Sequence, residues 1–463
     1  MPLSRGVSGP ERDAQLEVNP MYAGIADVAI PRFELARGEL PPGLAAQVVR
    51  DELMLDGNAR LNLATFVTTW MEPDAAALLA ECADKNMVDR DEYPQTAEIE
   101  RRCVNILARL WNAPEEDGTA VGCSTTGSSE AAMLGGLALK WRWRNRRIAA
   151  GLPDERPNIV MGANVQVCWD KFCRYFDVEP RLVPLAHGRR HLTAAEAVRH
   201  CDERTIGVVG VLGSTFDGSY EPIAEMAREL DALASSGGAD VPIHVDAASG
   251  GFVAPFLDPG LQWDFRLARV ASINTSGHKY GLVYPGVGWV IWRDEAALPR
   301  DLVFSVDYLG GSEATFALNF SRPGAPIVAQ YYNFLRLGRD GYERVQRATR
   351  DVARRIAAGI DALGPFELLT RAEHIPVFAF RVADDVTNFS VYDVSRALRE
   401  RGWLVPAYPL PPALDDVHVL RVVVRNGFSA DLGDQLVTDL HHAVEELDRQ
   451  PAPLSRPDAA FHH

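Results

Sequence analysis

From about residue 119 the chain alternates short, nearly all-apolar runs with longer amphipathic ones. The short runs are 119–124 (TAVGCS), 158–162 (NIVMG), 205–212 (TIGVVGVL), 241–246 (VPIHVD), 269–274 (RVASIN) and 287–292 (VGWVIW). Runs of this length without polar alternation read as strands covered on both faces, and the amphipathic stretches between them read as crossover helices. The pattern therefore predicts an α/β protein with a mostly parallel sheet and helices on each side. Between Val270–Ile273 and Val287–Trp292 there is no room for a crossover helix, so that pair is expected to run antiparallel. After about residue 345 the pattern thins. Ile375–Val382 and Val417–Val424 read as strands, Ser390–Arg401 and Asp431–Asp448 as helices. The predicted organisation is an N-terminal segment (1–57) that wraps another subunit or lies over the surface, a large domain (58–344), a small C-terminal α+β domain (345–450) and a tail (451–463).

Composition narrows the partners. With 463 residues, 47% of them hydrophobic, the chain can bury a large core. A formal charge of −16 argues against nucleic acid or an anionic membrane, both of which need a basic face. No stretch is long and apolar enough to span a bilayer. The one basic and aromatic cluster, Lys140-Trp-Arg-Trp-Arg-Asn-Arg-Arg147, closes a helical pattern that begins near Ser129, where cations meet the negative end of the helix dipole. The six cysteines form no CxxC pair, no metal-ligand set is read, and nothing at the N-terminus resembles a secretory leader, so a cytoplasmic location is expected.

The chemistry concentrates in Asn274-Thr-Ser-Gly-His-Lys-Tyr280 and His244-Val-Asp-Ala-Ala248. A pyridoxal phosphate (PLP) enzyme needs a lysine to hold the aldehyde as a Schiff base, and a carboxylate to keep the ring nitrogen protonated. Lys279 and Asp246 fit these roles. Opposite unit charges about 4 Å apart at an effective dielectric near 20 attract by roughly 4 kcal/mol, worth about three pK units to the pyridinium. Taken singly, Asp246 also reads as a helix cap and Lys279 as a solvated surface residue. Together they fall where adjacent strands end, the edge on which open α/β sheets bind ligands. Thr126-Gly-Ser-Ser-Glu130, after a strand and opening a helix, offers backbone N–H groups and the Ser128 and Ser129 hydroxyls to a phosphate, or else an ordinary serine cap. Ser276 and His278 can add to the same cradle. Thr215, in Ser214-Thr-Phe-Asp-Gly218, reaches the cofactor or is a turn residue.

With these residues in view the chain resembles the glutamate decarboxylases, bacterial-type members of the group II PLP-dependent decarboxylases. The resemblance runs from about Asp51 to the C-terminus, in DGNARLNLATF (56–66), KNMVDRDEYP (85–94), GSSEAAMLGGLALKWRWR (127–144), HVDAASGGFVAPF (244–256), INTSGHKYGLVYPGVGW (273–289) and VDYLGG (306–311). It implies the aspartate-aminotransferase-like fold (fold type I), with a seven-stranded-type sheet in the large domain. It also implies decarboxylation of L-glutamate to 4-aminobutyrate (GABA) and carbon dioxide. Lys279 becomes the Schiff-base lysine and Asp246 the pyridinium partner. Ser128, Ser129, Thr215, Ser276 and His278 become cofactor contacts, with Ala248 beneath the ring and Gln166 over its other face. Ser321 is implied to reach the phosphate of a neighbouring subunit, so the active unit is at least a homodimer, with a hexamer the larger alternative. Tyr308 and Leu309 resemble a loop that covers the entrance from across that interface. Thr65 and Asn86, with Asp89 near them, resemble the pocket for the distal carboxyl. Arg421 resembles the α-carboxylate ligand, against an outward-facing strand arginine, with Arg425 its competitor. No calmodulin partner is expected, because no basic amphipathic extension with a Trp anchor follows the last helix.

Two acid-linked expectations follow. A dicarboxylic pocket that includes Asp89 should favour turnover below neutral pH. The terminal Phe461-His-His463 resembles tails that close the site near neutrality, or else is a frayed end. The same fold and cofactor also serve aspartate, cysteine sulfinate or aromatic substrates, and the pocket around Thr65 and Asn86 is what favours glutamate.

Overall fold

The computed structural model describes residues 31–88, 91–114, 120–306 and 313–449. Two compact units divide the chain, Met1–Ala59 and Arg60–His463. In the first, the described residues form one helix, α1 (Pro42–Leu53), opened by a proline whose missing N–H a helix start does not need. Phe33, Leu35, Met54 and Leu55 in that unit are exposed.

The second unit holds both main sheets. Its first elements are α2 (Pro73–Glu81), α3 (Pro94–Leu110), β1 (Val121–Thr125), α4 (Ser128–Ala149), β2 (Asn158–Gly162), α5 (Cys168–Tyr175), β3 (Glu179–Val183) and α6 (Ala194–Arg199). Then come β4 (Thr205–Val211), α7 (Ile223–Ser235), β5 (Ile243–Asp246), α8 (Ala254–Leu257), β6 (Val270–Ser276) and β7 (Gly288–Trp292). The sheet order is β1-β7-β6-β5-β4-β2-β3. Strands β2 to β6 pair in parallel, and every residue of β2, β4, β5, β6 and β7 is buried, in keeping with their apolar runs.

Two details correct the pattern read from the sequence. The antiparallel strand β7 lies between β1 and β6 and pairs with both, so the exception extends to a second pair. The resemblance implied seven strands, but the apolar pattern located six and missed β3. Its sequence EPRLV carries a proline and charges and is mostly exposed, because it sits at the sheet edge, where no apolar run is needed.

The remaining elements are a two-stranded ribbon, β8 (Phe304–Val306) with β9 (Glu313–Thr315), then α9 (Ala325–Asp361), β10 (Phe366–Leu368), β11 (Val377–Val382), α10 (Val391–Glu400), β12 (Ala407–Pro409), β13 (His418–Val423) and α11 (Ala430–Asp448). Gly338 breaks α9 with φ 56°, a left-handed value that glycine tolerates. The second sheet is antiparallel, in the order β10-β11-β13-β12. Its two central strands and both helices match the reading from sequence. The three-residue edge strands β10 and β12 are too short to leave a periodic signal. The basic cluster ends α4 as expected: Arg146 and Arg147 lie in its last turn, and Arg144 pairs with Asp154.

This topology places the chemistry at one edge. Val211, Asp246 and Asn274 are register partners near the ends of β4, β5 and β6. Ser276 and Thr125 both pair with Gly288 at the start of β7. The motifs quoted above therefore converge on the carboxyl edge of the parallel strands.

Candidate active site

A cavity of about 360 Å³ opens at that edge. Every cofactor candidate from the sequence except Ser321 lines it: Ser128, Ser129, Gln166, Thr215, Asp246, Ala248, Ser276, His278 and Lys279.

Lys279 follows β6 in a tight turn. Its carbonyl accepts from Thr68 Oγ1 at 2.6 Å, and the His278 carbonyl accepts from the Thr68 N–H at 2.8 Å. Its Nζ is 3.3 Å from Ser249 Oγ and 5.1 Å from the Phe66 ring centre. Burial lowers the amine below its ordinary pKa. Asp246 and Cys168 oppose the shift and Arg421 adds to it. An amine so placed can lose its proton and act as a nucleophile.

The Asp246 carboxylate is fixed by three N–H donors. Trp169 Nε1 donates to Oδ2 at 2.8 Å, while the Ala248 N–H and Asn274 Nδ2 donate to Oδ1, both at 3.1 Å. A carboxylate offers about four acceptor positions, so one on Oδ2 remains for a further donor such as a pyridinium.

The phosphate cradle departs from an ordinary capped helix. Gly127 is the N-cap of α4 and no side chain caps it, so the serines do not close their own helix end. The buried Ser276 Oγ, which lines the cavity, has no hydrogen-bond partner among the described residues, an orphan that an anion at this helix end would satisfy. His278 lies against Gly127, and burial, reinforced by Lys279, pushes it down to about 4. A Cβ on Gly288 would overlap the Gly127 backbone, so the cradle turn depends on that glycine. These features fit PLP. Lys279 would hold its aldehyde, Asp246 its ring nitrogen, and the α4 terminus with Ser276 and His278 its phosphate.

Gln166 is steadied by the Cys168 N–H, 2.6 Å from its Oε1. Thr215 sits in a turn closed by Gly218 N–H to the Ser214 carbonyl and also lines the cavity. Its own carbonyl accepts from Arg421 Nη1 at 2.6 Å.

Arg421 is buried on β13, against the outward-facing alternative. Nη2 donates to the Ala64 carbonyl at 2.6 Å, and the guanidinium lies between the Phe66 and Tyr408 rings, 4.9 and 5.5 Å from their centres. Its buried Nε has no partner among the described residues. Arg425 is differently occupied: its two terminal nitrogens bind the Asn62 and Val67 carbonyls and the Thr69 hydroxyl.

Thr65 lies in the same loop, its N–H donating to Asn62 Oδ1 at 3.3 Å. Asn86 belongs to another cluster. Its Nδ2 is 3.3 Å from Ser321 Oγ, and its Oδ1 accepts from the Arg322 N–H at 3.1 Å. Within one chain, hydrogen bonds join Asn86 to Ser321 rather than to Thr65. Asp89, Tyr308, Leu309 and the Phe461–His463 tail lie outside the described residues.

Sequence reading missed several groups. Trp169 anchors Asp246 from three residues beyond Gln166, but an indole within an apolar helix face reads only as core. Glu130 lines the cavity and binds back to the Thr126 N–H at 2.8 Å and across to the Leu318 N–H at 3.1 Å. Glu221 is buried behind the cavity wall.

The pyridoxal-dependent decarboxylase conserved domain matches residues 39–383. The glutamate decarboxylase of Aliivibrio fischeri is 53% identical over 426 residues, covering 92% of this chain and 91% of that protein. The chain belongs to the pyridoxal-dependent decarboxylases, in the glutamate decarboxylase group. The tomato (Solanum lycopersicum) glutamate decarboxylase is 50% identical, with 96% and 88% covered. Among solved structures, Lactobacillus brevis glutamate decarboxylase superposes with a TM-score of 0.89 at 47% identity, covering 92% of this chain and 97% of that one. The fold is accordingly the aspartate-aminotransferase-like fold type I, and the cofactor of this family is PLP. Among the described residues no helix is long and apolar enough to cross a membrane.

Proposed function

We propose that this chain is a carboxy-lyase that converts L-glutamate to 4-aminobutyrate and carbon dioxide. The observation that carries the proposal is the buried Lys279 amine in a cavity with Asp246, with the Arg421 guanidinium close enough to depress it, in a chain about half identical to glutamate decarboxylases. Bound PLP supplies an electron sink for the bond to the α-carboxylate. The residues do the rest. Arg421 takes the α-carboxylate, its plane set by the Thr215 and Ala64 carbonyls and its Nε still open. Fixing that group selects the bond to be broken, and the Phe66 and Tyr408 rings keep water from the guanidinium. Lys279 Nζ, its proton held loosely by burial, can deliver a proton to the α-carbon.

Thr65 receives the distal carboxyl. The pairing of Asn86 with Ser321 supports the reading that both serve the neighbouring subunit, Ser321 its phosphate and Asn86, with Asp89, its distal pocket. The minimum unit is then a homodimer, a reading supported by the exposed Phe33, Leu35, Met54, Leu55, Phe304, Leu318 and Phe320. Six unpaired cysteines support a reducing, cytoplasmic location.

The test supplies the purified protein and PLP with glutamate, aspartate, cysteine sulfinate or tyrosine at pH 5 and pH 7.5, measuring carbon dioxide and identifying the amine. Release from glutamate with equimolar 4-aminobutyrate is the expected result. Release from another substrate instead would overturn the substrate assignment.

A further inference from the structure

Asp246 and Ser128 come to the cavity on different elements, β5 and α4, yet one side-chain amide joins them. Asn274, on β6 between them, is fully buried. Its Nδ2 is 3.1 Å from Asp246 Oδ1 and 2.6 Å from Ser128 Oγ. A carboxylate only accepts, so the nitrogen must face it, and both amide hydrogens are committed, one to each partner. Asn274 Oδ1 is 2.7 Å from His244 Nε2. That ring nitrogen therefore carries the hydrogen, and Nδ1, 2.7 Å from Ser272 Oγ, accepts from the hydroxyl. Burial lowers the His244 pKa, which keeps the ring in the neutral form this arrangement requires. The imidazole has no room to turn. A Cβ on Gly135 of α4 would overlap it, and Trp169, the other side-chain donor to Asp246, meets it edge-on with centroids 5.2 Å apart.

We propose that Asn274, oriented by the Asp246 carboxylate and held there by His244, is a positioning residue that sets the spacing between Asp246 and Ser128. This rests on the reading of those two residues as the anchors for the ring nitrogen and the phosphate. A flipped amide would turn its oxygen toward the Asp246 carboxylate, replacing a hydrogen bond by repulsion between two acceptors, and would leave Ser128 to donate rather than accept. The flip would also force His244 into its other tautomer, with the hydrogen moved from Nε2 to Nδ1 and toward Ser272, so the present tautomer opposes it. Neither Asn274 nor His244 needs to touch the reacting atoms for this to matter. A misplaced anchor at either end tilts the ring.

The test measures the PLP dissociation constant of full-length protein by absorbance, with the glutamate kinetics beside it. His244→Gln keeps an amide N–H near the Nε2 position, whereas His244→Leu fills similar space without it. The expected order is cofactor binding within about threefold of wild type for His244→Gln, and at least tenfold weaker binding with a shifted absorbance band for His244→Leu. In the Leu variant kcat falls while the KM for glutamate is unchanged, since the Arg421 loop is untouched. A space-filling role for His244 predicts the reverse order, and Leu binding as tightly as Gln overturns the proposal. If the Leu variant does not fold, the near-isosteric Asn274→Asp carries the test. It replaces the bridging donor with an acceptor, and unchanged cofactor affinity overturns the proposal. Asp246→Ala and Ser128→Ala serve as references. If neither weakens PLP binding, the anchor reading itself fails. If both do while the His244 and Asn274 variants do not, only the positioning role fails.

Discussion

Replacing Glu221 with Gln should remove a pH dependence of stability that runs opposite to ordinary acid denaturation. Glu221 is 4% exposed, and its carboxylate accepts from Asn164 Nδ2 and the Leu192 N–H on Oε1 and from the Val211 N–H on Oε2. Burial pushes its carboxyl up to about 7 from 4.5, with the three donors pulling back and Asp246 adding a small push. The unfolded chain releases this proton near 4.5 and the folded chain near 7, so in that interval the folded state holds more protons. The stabilisation is fully present below about 4.5 and is lost as pH rises toward 7. At about 1.36 kcal/mol for each step of one pH, the rise from 4.5 to about 7 is worth about 3 kcal/mol. With an unfolding entropy of about 2.1 cal/mol/K per residue, this chain moves by about 1 °C per kcal/mol, so the effect is about 3 °C. The Gln variant also turns an amide N–H toward backbone donors, a cost of about 1–3 kcal/mol that is the same at every pH. The assay is the unfolding midpoint of both proteins from pH 4.5 to 7.5. The wild-type midpoint minus the variant midpoint should fall by about 3 °C as pH rises, and subtraction cancels groups common to both. Parallel profiles would refute the reasoning.

The two arginines should separate by assay. Arg421→Lys keeps the charge but loses the fork held by the Thr215 and Ala64 carbonyls, so kcat/KM for glutamate should fall by about 100-fold or more, with a fall in the unfolding midpoint no larger than that of Arg425→Lys. Arg425→Lys breaks ties to Asn62, Val67 and Thr69 and should chiefly lower the midpoint, by a few degrees. Gly288→Ala drives a methyl into the Gly127 backbone and should weaken PLP binding at least tenfold, read by absorbance titration, while Gly260→Ala, in open space, should not. Ser321→Ala should weaken PLP binding severalfold in a dimer although Ser321 does not line its own cavity, and no change would argue against a cross-subunit contact.

How far the sequence could be read depended on whether a residue's chemistry was visible in its own neighbourhood. Lys279, Asp246 and the Ser128–Ser129 turn stood at the ends of apolar strands, so strand order alone brought them to one edge. Asn274 stood in the same heptapeptide without a role, because its partners Ser128 and His244 are contributed by other elements. Trp169 and Glu221 were hidden for a similar reason: a buried indole looks like core, and a buried carboxylate looks like a surface one until its three donors are seen. The choice between Arg421 and Arg425 could not be made from β13 alone, since only the folded chain shows that Arg421 shares the Phe66 ring with Lys279. Edge strands β3, β10 and β12 escaped because an edge needs neither length nor an apolar run.

The account turns on Lys279 as the point where cofactor and glutamate meet. The most direct measurement is reduction of the PLP-loaded protein with borohydride, with and without prior exposure to glutamate, followed by mass mapping of the modified peptide. The account predicts a pyridoxyl adduct on Lys279 in the resting protein, its marked loss when glutamate is present, and no adduct in Lys279→Ala. A stable adduct on any other lysine, or one on Lys279 that glutamate leaves unchanged, would contradict it.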